Sequence, residues 1–180
     1  MAAKSKTYIA WLRAIGPVTH RVMSMAALGA ACRDAGFGAV RVWAQTGNVL
    51  LDSSDPPSRV EQRMDAIVAG FGLGLSNRTF VRSLVELKAV VCANPFPEAA
   101  LDRPSHLAVC FMEGVPPADA VAKLEAHLGP ERIRVVKREV YVDYAAGIGT
   151  SRIAPGVIER RLHLAGTARN WNTIRKMLAC

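Results

Sequence analysis

The chain has 180 residues, room for one domain or for two small ones. Hydrophobic residues make up 51% and charged residues 21%, a composition that excludes a disordered chain or one needing disulfide staples. A formal net charge of +8 favours anionic partners such as nucleic acid, nucleotides or phosphorylated metabolites, with a merely solvated basic surface as the alternative.

The start, Met1 to Lys6, leads into an apolar run that Arg13 ends, too short for a signal segment. No uncharged stretch approaches the roughly 18 residues of a membrane helix, so a cytoplasmic protein without membrane partners is expected. Thr7 to Leu12 is continuously apolar and suits a doubly buried strand. Gly16 to Arg21 reads as a loop. Ser24 is placed to cap a helix whose apolar face is Met25, Leu28, Cys32 and Ala35, ended by Gly36 and Gly38. Val40, Val42 and Ala44 alternate with Arg41, Trp43 and Gln45, a strand signature, and Thr46-Gly47-Asn48 turns the chain into Val49 to Leu51. On a sheet of this kind an exposed Trp43 would suggest base stacking, but no ribonucleoprotein signature surrounds it, and packing is the favoured role.

Ser58 and Glu61 have capping-box spacing before a helix carrying Val60, Met64, Ile67 and Phe71. Thr79 to Arg82 is a further strand, which completes the order βαββαβ. A second capping box, Ser83 with Glu86, opens a helix that must stop near Asn94-Pro95. Asn94 to Pro104 reads as a linker. Beyond it come a strand from His106 to Met112, a helix with Val121, Leu124 and Leu128 on one face, and a hairpin of Ile133 to Val136 with Val140 to Tyr144. A helix from Pro155 to Leu162 and a last one from about Asn170 follow. The second half thus echoes the element order of the first as βαββ with two terminal helices, without a residue-level repeat. The fold class expected is α+β: two ferredoxin-like (α/β-plait) halves, residues 1–95 and 104–180, with antiparallel or mixed sheets and helices on one face.

Cys32, Cys92, Cys110 and Cys180 form no metal-ligand spacing and read as small core residues, apart from Cys180 at the terminus. Neither a metal nor a cofactor is implied, and no nucleophile elbow or carboxylate pair is present.

Three segments are candidates for binding. From Ser151 onward, Arg152, Arg160, Arg161, Arg169, Arg175 and Lys176 face Glu159 alone. The run Gly166 to Lys176 packs Arg169, Asn170, Asn172 and Arg175 around Trp171. Trp171, Ile174 and Leu178 share one helix face; the polar set is either a structural lock or an anion site at a helix start. Gly147 to Arg152 is a glycine-rich turn whose Ser151 and Arg152 add donors, without a Walker or dinucleotide pattern. Arg13 and His20 flank the loop after the first strand, and His20 is the histidine best placed for acid–base work. Three functions stay open: a binding protein for an anionic ligand, an enzyme on a small phosphorylated or nucleotide-like substrate, and an interaction module. Oligomeric state is not legible.

The segments Tyr8 to Arg13, Gln45 to Val49, Asn94 to Pro97 and Gly166 to Thr173 resemble domain-of-unknown-function family 1697, in order and over nearly the whole chain. The resemblance implies bacterial, cytoplasmic proteins of two ferredoxin-like halves with no established activity, so it supplies no catalytic residues. Members usually carry a Gly-rich, Asn-containing loop after the first strand, where this chain has Ala14 to Arg21.

Overall fold

The computed structural model describes residues 4–179 and divides into two units, between Leu87 and Lys88. Cys180 lies outside the described residues. The first unit runs β1 (Lys6–Leu12), α1 (Pro17–His20), α2 (Met25–Asp34), β2 (Gly38–Trp43), β3 (Asn48–Ser53), α3 (Pro57–Gly70) and β4 (Thr79–Ser83). Helix α4 (Leu84–Cys92) spans the division. The second unit continues with α5 (Pro97–Asp102), β5 (Leu107–Met112), α6 (Ala118–Glu125), β6 (Arg132–Val136), β7 (Glu139–Asp143), α7 (Pro155–Leu162), β8 (Gly166–Asn170) and α8 (Trp171–Leu178).

Each unit holds a four-stranded sheet, ordered β2-β3-β1-β4 and β6-β7-β5-β8, and every pairing is antiparallel. This is the ferredoxin-like arrangement in both halves. Alternation sets the faces. Tyr8, Ala10, Leu12, Val49, Leu51 and Val81 turn to one side and pack with Leu28, Cys32, Val60 and Met64 of α2 and α3. In the second unit Cys110, Met112, Val140 and Val142 pack with Leu124 of α6 and with Ile158 and Leu162 of α7.

Several expectations are corrected. Gly16 to Arg21 contains the one-turn helix α1, started by Pro17 and tied by Thr19 Oγ1, which accepts from Gly16 N at 2.9 Å. Ser58 and Glu61 make no capping box, because the helix begins at Pro57; Glu61 instead accepts from the Val81 amide at 3.2 Å. The stretch from Asn94 to Pro104 contains α5, whose Ala99 is buried and whose Glu98 pairs with Arg132. Helix α6 stops at Glu125, so Leu128 is 97% exposed rather than packed. Met177, not Leu178, is the fully buried residue at the end of α8. Cys92 is exposed, whereas burial pushes the Cys32 thiol up to about 11 and the Cys110 thiol up to about 12.

Trp43 is 36% exposed at the sheet edge, against the packing expected of it. Its cross-strand row runs Trp43, Asn48, Trp11, Phe80, and the last three are buried. That row therefore offers no stacking platform.

The largest correction concerns the chain's end. Gly166 to Asn170 is a strand, so the second half is a complete βαββαβ unit. Register then brings out a repeat that linear comparison misses. In the first sheet Arg41, Leu50, Ile9 and Arg82 lie in one cross-strand row. The corresponding row of the second sheet is Arg134, Tyr141, Val109 and Arg169.

Candidate functional site

The C-terminal motif is built from a strand and a capped helix. Gly166 sits where a Cβ would come within 2.7 Å of Met112 Sδ and 3.1 Å of the Phe111 carbonyl oxygen, so a side chain there would displace the Met112 side chain and crowd the β5 backbone. Its amide donates to Glu159 Oε1 at 2.8 Å. Arg169 is only 8% exposed. Its Nη1 donates to Thr167 Oγ1 at 2.8 Å and to the Ala168 carbonyl at 2.7 Å. Burial pushes its pKa down to about 10, which leaves it cationic at neutral pH.

The equivalent strand explains these bonds. β4 and β8 are edge strands. On β4 the outward amides of Thr79 and Val81 donate to Asp65 and Glu61, one turn apart on α3. A strand residue's N–H and C=O point to the same side, so the Val81 carbonyl also faces outward. It accepts from Arg82 Nη1 at 2.9 Å. Arg82 and Arg169 thus satisfy the same outward carbonyl in the two sheets. An exposed edge strand invites pairing with another chain, and these side chains occupy the groups that would pair.

Asn170 then caps α8. Its Oδ1 accepts from the Thr173 amide and from Thr173 Oγ1, both at 2.9 Å. Trp171, Ile174 and Met177 are buried. Asn172, Arg175 and Lys176 remain exposed. Within the motif, then, Arg169 and Asn170 serve the fold, and Asn172 and Arg175 face solvent.

The remaining predicted residues divide between the units. In the first, Arg13 bridges two loops: its Nη1 donates to the Ser76 carbonyl at 3.1 Å and its amide to the Arg78 carbonyl at 2.8 Å. His20 is half-buried at the end of α1. In the second, Ser151 and Arg152 follow a short 3-10 turn, Ile148–Thr150. The Ser151 hydroxyl donates to Glu131 Oε1, while His127 Nε2 lies 3.1 Å from Glu131 Oε2. Chiefly the Ser151 bond, with His127 assisting, holds the Glu131 carboxyl below its usual range, although burial opposes this. Gly129 makes the cluster possible, since a Cβ there would lie 2.3 Å from His127 Nε2 and 2.7 Å from Glu131 Oε2. The carboxylate sits between the serine and the histidine, so no imidazole activates the hydroxyl, and Ser151 acts as a clasp on its loop. The sequence reading missed this cluster; the spacing of His127, Gly129 and Glu131 around a helix end is its one linear trace.

Beside it, Asp143 is fully buried at the end of β7. Arg103 Nη2 and Arg132 Nη2 donate to its Oδ2 at 2.6 and 2.7 Å. Burial pushes its pKa up, but the bonds from these two arginines outweigh that and hold it below the ordinary value. Among the described residues no three His, Cys, Asp or Glu side chains are placed to hold a metal ion. No helix among them is long and apolar enough to cross a membrane.

No curated protein matches the chain. A solved structure of a conserved bacterial protein from Streptococcus pneumoniae is similar in fold, with a TM-score of 0.74, 18% identity and 98% of each chain covered. The profile described as "Protein of unknown function (DUF1697)" matches residues 5–141, which is most of the sequence. On that match the chain belongs to this family of proteins of unknown function.

Proposed function

We propose that the chain is a binding protein for an anionic ligand, a nucleic acid in the first instance, held by the exposed cations of the second unit. One observation carries this reading. Arg152, Arg160, Arg161 and Arg175 are exposed. Among the described residues none of the four is in an ion pair. Glu159, the one acidic residue of the segment, is occupied by the Gly166 amide. Surface cations without local neutralisation attract phosphates and release their counterions.

The test is fluorescence anisotropy with a short labelled single-stranded DNA over a salt series. Four phosphate contacts predict a fall in affinity of about 50-fold between about 50 and 200 mM salt. The double variant R160E/R161E should weaken binding and roughly halve the salt slope. Absence of binding at low salt, or affinity that ignores salt, overturns the nucleic-acid reading. A mononucleotide bound as tightly as the oligomer would turn it toward a phosphorylated small ligand.

A further inference from the structure

We infer a separate binding site in the first unit, for a small molecule with an apolar body and one anionic head. A groove of about 650 Å³ lies where the start of β1, the start of α3 and the β4–α4 junction meet. That volume falls within the range of about 300–1,000 Å³ typical of small-molecule sites.

Most polar groups lining it are already engaged. Thr7 Oγ1 donates to Asp52 at 2.7 Å, and the Tyr8 hydroxyl donates to the Asp55 carbonyl at 2.8 Å. Ser83 and Glu86 close on each other: Glu86 Oε2 accepts from the Ser83 amide at 2.7 Å and from its hydroxyl at 2.8 Å. Glu86 thereby fills the start of α4 and leaves no vacant anion position there. Asp55, next to the groove, is paired with Arg63.

Lys4, Ser5 and Lys6 are what remain. All three are exposed and have no side-chain partner among the described residues. The two lysines supply cationic donors only, and the Ser5 hydroxyl adds a neutral group that can donate or accept. Pro57, Leu84 and Val85 provide the apolar lining, and Val85 is left 77% exposed. Apolar wall with uncompensated ammonium groups at one side is the complement of an amphiphilic anion. A cation of the same shape would meet the lysines with repulsion.

Calorimetric titration with octanoate, octylammonium and inorganic phosphate separates the contributions of body and head. Octanoate should bind at least about tenfold more tightly than either of the others, because only it engages both the wall and the lysines. The variant K4E/K6E should lose about tenfold or more in octanoate affinity at an unchanged melting temperature, since both side chains are exposed. V85D should weaken octanoate binding as well. Octylammonium binding as well as octanoate, octanoate failing to bind, or K4E/K6E retaining full affinity would each overturn the site. Because these residues are in the first unit, the result is independent of the oligonucleotide assay on the second.

Discussion

Replacing Arg169 by alanine distinguishes a fold role from a ligand role. The substitution leaves the outward Ala168 carbonyl and the Thr167 hydroxyl without the Nη1 donor that now reaches both, at 2.7 and 2.8 Å. A buried polar group left unsatisfied costs about 1–3 kcal/mol. Ala168 is half-buried, so water can reach part of the vacated site, and the hydroxyl can rotate; each loss should fall near the lower end. Removing a buried charge also returns part of its desolvation cost, the effect that pushes this guanidinium down to about 10. The net destabilisation expected is about 1–2 kcal/mol. At this chain length it corresponds to a melting point lower by about 2–8 °C. Arg82→Ala, at the equivalent place on β4, should shift stability in the same direction and by a similar amount. Urea midpoints at unchanged slope give both values, and oligonucleotide binding is measured alongside, well below the melting range. An Arg169→Ala protein within about 0.5 kcal/mol of the parent that has lost its DNA binding would refute the edge-strand account.

Other substitutions probe single contacts. Gly47 has φ +68, and a Cβ there would lie 2.9 Å from both Leu12 Cβ and Ile15 Cγ1, so Gly47→Ala should lower stability by about 2–4 kcal/mol in urea melts. Ser83→Ala removes the cap that accepts from the Glu86 amide at 3.2 Å and should cost about 1 kcal/mol by the same measurement. Glu131→Gln tests the clasp through pH. A carboxyl with a depressed folded pKa contributes stability that is complete above its unfolded value and is lost as pH falls through the folded one. The parent should therefore exceed Glu131→Gln in stability at pH about 7, and the gap should close on acidification below about pH 4. A gap that stays constant with pH would show that the charge on Glu131 contributes nothing.

Elements whose signals are local were legible in the sequence. The buried strand at Thr7 to Leu12, the α7 boundaries and the reciprocal bonds of Ser83 and Glu86 all follow from periodicity or fixed spacing. What escaped depends on partners distant in the chain. Gly-Thr-Ala-Arg-Asn has no alternation of apolar and polar residues, and it is a strand because β5 pairs with it. Helix α5 is too short to be stable by propensity and depends on tertiary contacts, the burial of Phe96 and Ala99 with the Glu98–Arg132 pair beside them. Leu128 fits the helical period but lies beyond the last turn of α6, so spacing alone misplaced it. Of the eight residues proposed for a site, Arg13, Ser151, Arg169 and Asn170 make bonds that serve the fold. Residue type could not separate them from Arg152, Asn172 and Arg175, because the difference is whether the fold brings a bonding partner within reach: Asn170 is exposed, as Asn172 is.

The register equivalence of Arg82 and Arg169 sets how the rest of the polar surface should be weighed. Thr-Phe-Val-Arg-Ser on β4 and Gly-Thr-Ala-Arg-Asn on β8 share little in sequence. Each nonetheless places an arginine on the carbonyl before it and follows it with a helix cap. Both devices suit a last strand that is an edge and turns into a helix, as β4 and β8 do. The density of polar groups near the C-terminus therefore follows from the fold at two of its most conspicuous members. The two proposed sites rest instead on exposed cations whose side chains make no bond among the described residues: Arg152, Arg160, Arg161 and Arg175 on the second unit, and Lys4 and Lys6 on the first. Exposed charge without a partner is unfavourable for neither stability nor solubility, but it is also not required by either. Charge-reversal at these positions should consequently cost less than about 1 kcal/mol each, with the last-turn arginines of α7 and α8 losing only their helix-end interaction, while altering binding, the opposite of the pattern expected at Arg82 and Arg169.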